Sequence, residues 1–199
     1  MYKIYGSNEN IYLVSFACAL ALSVLFTFIL VKLLPALGIL DQPNERKIHK
    51  KPIPRMGGIG IYAAFVIPMI LLYYFDDTQK GIIIGSGLAL IVGMIDDIRG
   101  APAAVKLIAL FLLTILLKKY GVSSNLPFYK LGLDNDIFNM ITSVLWIAGI
   151  TSAMNALDHM DGLAGGISFI ACLAYLAVSM QAGTFFWGLL AVSLAGSIL

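Results

Sequence analysis

Charge is what this sequence has least of. Its 199 residues include 13 Lys and Arg and 11 Asp and Glu, 12% in all, against roughly 25% in a soluble domain. With 60% apolar residues and a mean hydropathy of +0.92, that scarcity argues against a soluble globular domain and for an all-α, polytopic transmembrane helix bundle. The formal charge of +2 is too small to suggest a nucleic-acid partner. Cysteine is equally scarce. Cys18 and Cys172 both lie within apolar runs, which speaks against a disulfide framework, a CxxC pair or a zinc cluster and reads them as packing or lipid-facing residues. The methionines and aromatics fit packing and interfacial belts, and no cofactor box is visible among them.

What is abundant is apolar sequence in long runs. Residues 11–34 form an apolar stretch longer than the roughly 20 residues of a spanning helix, too long for a signal peptide and without the basic start of one. Further runs follow at about 57–75, 78–95, 103–117, 137–154, 166–183 and 184–199, which predicts six to seven helices in a single membrane domain. Proline and basic residues interrupt them at 35–56, outside the hydrocarbon. If the first helix runs outside to inside, eight of the 13 basic residues fall on the inner side: Lys32, Arg46, Lys47, Lys50, Lys51, Arg55, Arg99 and Lys106. Five stay outside, the bias expected of cytoplasmic loops in an inner membrane. Three polar segments then meet the cytoplasm: residues 35–56, the Asp96-Asp97 turn at 96–102, and the stretch at 155–165. The outer DDTQK segment at 76–80 reads as ordinary solvated loop.

Asp96 and Asp97 follow directly on an apolar run. Two adjacent carboxylates at a helix C-terminus oppose the macrodipole and repel each other, so helix stability does not account for them. The plain alternative is a cap for the next helix, but Pro102 suits a first helical position and would put that cap at Ala101. Hard oxygen donors of this kind suit magnesium, which binds through one or two carboxylates and substrate phosphates. Ser152, Asn155, Asp158 and Asp161 recur at intervals of three, which on a helix lays them along one drifting stripe. The plain alternative there is a polar turn with capping aspartates. Arg46, Lys47, His49 and Arg55 lie in a proline-stiffened loop that can hold phosphate, although topology and anionic membrane lipids require basic residues in such a place anyway. Lys106 can snorkel to the headgroups or neutralise the aspartates. The run at about 103–117, which contains Lys106, has about 15 residues, about 22 Å, less than the roughly 30 Å hydrocarbon core, so the carboxylates are expected slightly below headgroup level.

These three segments together resemble the motif set of the polyprenyl-phosphate N-acetylhexosamine-1-phosphate transferases, glycosyltransferase family 4. DQPNERKIHKKPIPRMGG resembles the basic loop of the branch that uses UDP-N-acetylglucosamine and undecaprenyl phosphate; GMIDDIRG with Lys106 resembles the double-aspartate motif; NALDHMDGL resembles the Asn-x-x-Asp-x-x-Asp-Gly-Leu motif. Ser152 stands where the family commonly has an asparagine, and His159 where it has glycine. The resemblance implies transfer of a sugar 1-phosphate from a UDP-N-acetylhexosamine to polyprenyl phosphate, with Mg2+, or Mn2+ in its place, as cofactor. It implies catalytic Asp96, Asp97, Asp158 and Asp161; substrate-binding Arg46, Lys47, His49, Arg55, Lys106 and Asn155; and metal-binding Asp97 and Asp158. Phospho-N-acetylmuramoyl-pentapeptide transfer is the alternative chemistry. Family members carry further helices and another aspartate-bearing loop, so the chain is expected to be the N-terminal portion of a longer transferase, and an inactive fragment is a further alternative. An ion or proton transporter is the reading from another class, disfavoured because the aspartates gather at helix ends. Oligomeric state stays open.

Overall fold

The computed structural model describes residues 10–41, 52–54, 56–122, 136–158 and 162–199. Among them are seven helices: α1 (Asn10–Ala36), α2 (Gly58–Leu72), α3 (Asp77–Arg99), α4 (Ala103–Lys119), α5 (Asp136–Leu157), α6 (Leu163–Gln181) and α7 (Phe185–Ile198). By length and composition α1, α3, α5 and α6 can cross a bilayer, and α2 and α7 are shorter apolar helices. Large apolar side chains stand exposed along them, among them Leu13, Phe28, Leu145 and Ile170, as lipid-facing surfaces require. The protein is an integral membrane protein. The predicted helical runs all appear, and the last two, 166–183 and 184–199, are separated by a turn at Gly183 with φ 66°.

The chain divides into two compact units: residues up to Tyr74 with Gly165–Leu199, and Phe75–Ala164. In the first, α7 runs parallel to α1, because Tyr12 meets Gly188, Ser15 meets Ser193 and Ser23 meets Ser197 at nearly constant offset. Gly188 lacks the Cβ that would crowd the Tyr12 ring, and a Cβ on Gly196 would lie 2.5 Å from the carbonyl oxygen of Phe16. Small residues therefore set how close these backbones come. Ser193 donates to the Leu189 carbonyl at 2.8 Å, which leaves Ser15 to donate to the Ser193 hydroxyl at 2.5 Å. At the N-terminal end of α1 and α7, Tyr12, Tyr73, Phe185 and Phe186 cluster with ring centroids 5.2–6.2 Å apart, a belt of the kind found at membrane interfaces. At the other end of α1 a two-stranded ribbon pairs β1 (Leu40–Asp41) antiparallel with β2 (Ile53–Pro54). It ties together the two ends of the basic segment. Beyond it Met56, buried and at φ 68°, makes the bend into α2, a backbone conformation that costs a bulky side chain about 1–2 kcal/mol.

The second unit is an up-down-up bundle of α3, α4 and α5. Its start differs from the solvated loop read at 76–80. Asp76 is the N-cap of α3, accepting from the Gln79 backbone N–H at 2.8 Å, while the Gln79 side chain accepts from the Asp76 N–H at 3.0 Å. The D-x-x-Q spacing is a capping box. Gly85 and Gly81 let Leu117 and Tyr120 of α4 pack against the α3 backbone. The core joins Leu110, Leu113 and Leu117 of α4 with Ala148 of α5. Lys118 at the end of α4 reaches Asp136 at the start of α5, 3.3 Å to its carboxylate and 3.2 Å to its carbonyl, with each charge at the helix end that favours it.

Candidate active site

Gly100 decides where the double aspartate lies. It takes a left-handed conformation, φ 65°, and its N–H donates to the Asp96 carbonyl at 2.7 Å, the common way a helix ends. The helix therefore runs to Arg99, and both aspartates sit within its last turn rather than in the turn expected after it. Pro102, expected at the first helical position, is instead the N-cap residue of α4 and supplies no capping side chain. Ala101, expected as that cap, donates its N–H to Asp96 Oδ1 at 2.9 Å.

The second oxygen of Asp96 is also engaged. Lys106 Nζ lies 2.6 Å from Oδ2, so the carboxylate spans the tight connection between α3 and α4 and fixes the lysine on the first turn and a half of α4. This ion pair is half-buried, its side chains 19% exposed for Asp96 and 37% for Lys106. Lower dielectric and weaker salt screening make such a pair firmer than a surface one. One N–H of the ammonium answers Asp96, and a lysine has three. Asp97, one residue on, is exposed. The two aspartates, alike in sequence, thus differ in burial: Asp96 is half-buried in the α3–α4 connection and Asp97 is at the surface.

The up-down-up order brings the third motif to the same end of this unit. Asn155 lies in the last turn of α5; Asp158 follows immediately after the helix, its N–H 3.2 Å from the Met154 carbonyl. Both side chains are exposed, as is Ser152. The expected helical stripe is therefore present for Ser152 and Asn155 and stops before Asp158, because α5 ends at Leu157. Ala148 packs beside Leu110 and Leu113, and from that level both Asn155 and Lys106 lie about one to two turns toward the same end, at about 1.5 Å per residue. Asp96, Asp97, Lys106, Asn155 and Asp158 thus share one end of one bundle. Arg46, Lys47, His49, Arg55 and Asp161 lie outside the described residues. The α4 helix has 17 residues, about 26 Å, still short of a roughly 30 Å hydrocarbon core.

As hard, exposed carboxylate donors, Asp97 and Asp158 suit a divalent cation of the magnesium type. Among the described residues no three metal-ligating side chains are gathered as a closed cage; a cation held partly by substrate phosphates requires none. Sequence reasoning missed the difference in surroundings between the two aspartates. Its signal was Gly100, the usual marker of a helix C-terminus, with Arg99 in the turn before it.

Comparison with known proteins fits this arrangement. The sequence model for Glycosyl transferase family 4 matches residues 80–199, which hold most of α3 and all of α4, α5, α6 and α7. A probable undecaprenyl-phosphate N-acetylglucosaminyl 1-phosphate transferase of Bacillus subtilis is 29% identical over 174 residues, covering 85% of this chain and 49% of that protein. A phospho-N-acetylmuramoyl-pentapeptide-transferase of Clostridium botulinum is 28% identical, covering 94% and 62%. A decaprenyl-phosphate N-acetylglucosaminephosphotransferase of Mycolicibacterium smegmatis is 27% identical, covering 72% and 39%. The chain spans between about two fifths and three fifths of the length of these relatives. With three motifs in order and the match extending over more than half of its residues, the chain belongs to glycosyl transferase family 4.

Proposed function

We propose that the protein takes part in transferring a sugar 1-phosphate from a UDP-N-acetylhexosamine, UDP-N-acetylglucosamine in particular, to polyprenyl phosphate at the cytoplasmic face of the inner membrane. The observation that carries this reading is the gathering of Asp96, Asp97, Lys106, Asn155 and Asp158 at one end of α3–α5 in a chain of this family. The names of two of the three relatives above specify N-acetylglucosamine, and the basic loop resembles that branch. Phospho-N-acetylmuramoyl-pentapeptide transfer is the second reading, supported by the relative that covers 94% of this chain.

In the reaction an oxygen of the lipid phosphate forms a bond to the sugar-linked phosphorus. The bond from that phosphorus to the oxygen bridging to the uridine-linked phosphate breaks, and UMP leaves with that oxygen. Both reactants are anions, so the site must screen their repulsion and stabilise charge on the leaving group. Lys106, held in place by Asp96, supplies a fixed positive charge for the lipid phosphate. Asp97 is the exposed carboxylate beside it, suited to orient that phosphate or accept its proton. Asn155 and Asp158 face the nucleotide side, and Arg46, Lys47, His49, Arg55 and Asp161 complete the contacts to phosphates and sugar. Mg2+ bound at Asp97 and Asp158 would supply further positive charge to the diphosphate.

The test is release of UMP from radiolabelled UDP-N-acetylglucosamine by membranes carrying the protein, with undecaprenyl phosphate and magnesium supplied. Asp97→Asn is expected to lower the rate by about 100-fold or more, with unchanged membrane insertion. Turnover within threefold of the parent would remove Asp97 from the mechanism. No UMP from any UDP-N-acetylhexosamine would end the reading itself.

A further inference from the structure

Asp96 and Lys106 each stand at the end of their own helix that disfavours them. Asp96 is in the last turn of α3, where the dipole opposes negative charge, and Lys106 is the fourth residue of α4, where it opposes positive charge. The ion pair at the opposite end of this unit is built the other way: Lys118 closes α4 and Asp136 opens α5, each where its helix favours it. Helix stability therefore accounts for Lys118 and Asp136 and not for Asp96 and Lys106. What reconciles the second pair is the shortness of its connection, Gly100, Ala101 and Pro102. Across it each charge lies at the end of the partner's helix that favours it. The start of α4 has need of one, since its N-cap is Pro102, without a capping side chain, and its first turn holds no acidic residue. Asp96 supplies an acceptor and a charge there from the other helix: Oδ1 accepts from the Ala101 N–H at 2.9 Å, and Oδ2 lies 2.6 Å from Lys106 Nζ. The two residues form a clasp in which neither is well placed without the other.

We propose that Asp96 is a positioning residue: it holds the Lys106 ammonium at a fixed place at the end of the bundle, and itself neither accepts a proton from the acceptor phosphate nor binds the cation. The inference rests on the transferase reading for the reaction that Lys106 serves, and it departs from the resemblance, which makes Asp96 catalytic. The pair carries little net charge, so Lys106 does not attract anions from a distance. Its part is that of a donor already oriented, with N–H groups beyond the one facing Asp96. A group fixed before the reaction costs no reorganisation during it. Without its carboxylate the lysine keeps its charge and loses its place. Asp97, the exposed member of the double aspartate, is then the one that meets substrate.

The test is a double-mutant cycle read as kcat for UMP release from UDP-N-acetylglucosamine, with undecaprenyl phosphate and magnesium supplied. Asp96→Asn and Lys106→Met should each lower kcat about tenfold or more, and the double variant should stay within about threefold of Lys106→Met, because Asp96 acts only through the lysine. A further loss of about tenfold in the double variant would give Asp96 a step of its own and overturn the assignment. So would a parent-like kcat in Asp96→Asn, or a magnesium requirement raised about tenfold, which would make Asp96 a ligand. Amide exchange over residues 97–108 needs no turnover. It should quicken about fivefold or more in Asp96→Asn and in Lys106→Met, and no further in the double variant, with Asp76→Ala at the other end of α3 as control. Parent-like exchange in Asp96→Asn overturns the clasp even where a variant turns over too slowly to measure. No UMP from any UDP-sugar defeats the transferase reading, and the positioning role with it, but leaves the clasp. Additive losses of kcat in a protein that does transfer defeat the positioning role alone.

Discussion

The two units use their polar and small residues for different ends. In the unit built on α1, α2 and α7, polar groups lie in the middle of the packing. Ser15, Ser193 and Ser197 are fully buried, and most of α7 is buried. In the α3–α5 unit the buried Thr114 and Ser143 bond carbonyls of their own helices, the core between helices is leucine and alanine, and the charged side chains stand at the ends: Asp76, Asp77 and Lys80 at the start of α3, Lys118 with Asp136, and Lys106 with Asp96. Inside a membrane an apolar helix face has no hydrophobic reason to prefer another helix to lipid, so close approach and hydrogen bonds must hold α7 in place. A unit proposed to carry a reaction at its end needs those polar groups elsewhere, on helix termini where water and ligands reach them. The difference separates holding a fold together from presenting a site.

The largest expected break in that contrast is at glycine. Gly196→Ala puts a methyl group 2.5 Å from a backbone oxygen of α1, where neither partner is a movable side chain tip. It should destabilise the protein by about 1–3 kcal/mol. Gly149→Ala, on the exposed face of α5 with nothing within 4 Å of the added carbon, should stabilise its helix by up to about 0.8–1 kcal/mol. Unfolding in detergent mixtures at increasing SDS fraction reads both. Destabilisation of equal size at the two positions would mean that the α1–α7 contact is no tighter than an open helix face.

A smaller effect is expected at the capping box. Asp76→Ala removes one acceptor and breaks a reciprocal pair at the start of α3, worth about 1 kcal/mol. Because this end of the unit is opposite to Asp96 and Lys106, UMP release per folded molecule should stay within twofold. A loss of turnover with no loss of stability would show that both ends of α3 serve the site.

Much of the fold was legible because membrane helices announce themselves by apolar length, and all seven runs became helices. Their ends were less legible, and the site depends on the ends. The apolar run stops at Ile95, yet α3 continues to Arg99, since a helix ends where its backbone finds a cap and not where its apolar residues run out. Likewise α5 continues past the apolar residues to Leu157, carrying Asn155 on its last turn. The residue types of the candidate site were readable from motif spacing; the burial of Asp96 in the α3–α4 connection was not, because it depends on one tertiary ion pair and one backbone N–H five residues away. The serine seam was invisible for a related reason. A serine within an apolar run has the same local pattern whether it bonds its own helix, as Ser86 does with the Ile82 carbonyl, or another one.

The smallest predicted effect tests that seam directly. Ser15 and Ser193 are both fully buried and 2.5 Å apart, and the Ser193 hydroxyl donates to the Leu189 carbonyl within α7 while accepting from Ser15. Removing either hydroxyl leaves the other with a choice: Ser193 keeps its intrahelical acceptor, whereas Ser15 must find a carbonyl on its own helix. Ser15→Ala should therefore cost no more than Ser193→Ala, which strands a donor, and the double variant should cost less than the sum of the two. Hydrogen bonds of this kind between membrane helices average about 0.6 kcal/mol and reach about 1.7, so the coupling from a four-member cycle in SDS unfolding should fall in that range. A coupling indistinguishable from zero would assign the α1–α7 contact to glycine and alanine packing alone, with the serines tolerated there only because they are small. A coupling well above the range would mean that removing both hydroxyls lets the helices repack, which the Gly196 contact would then have to accommodate.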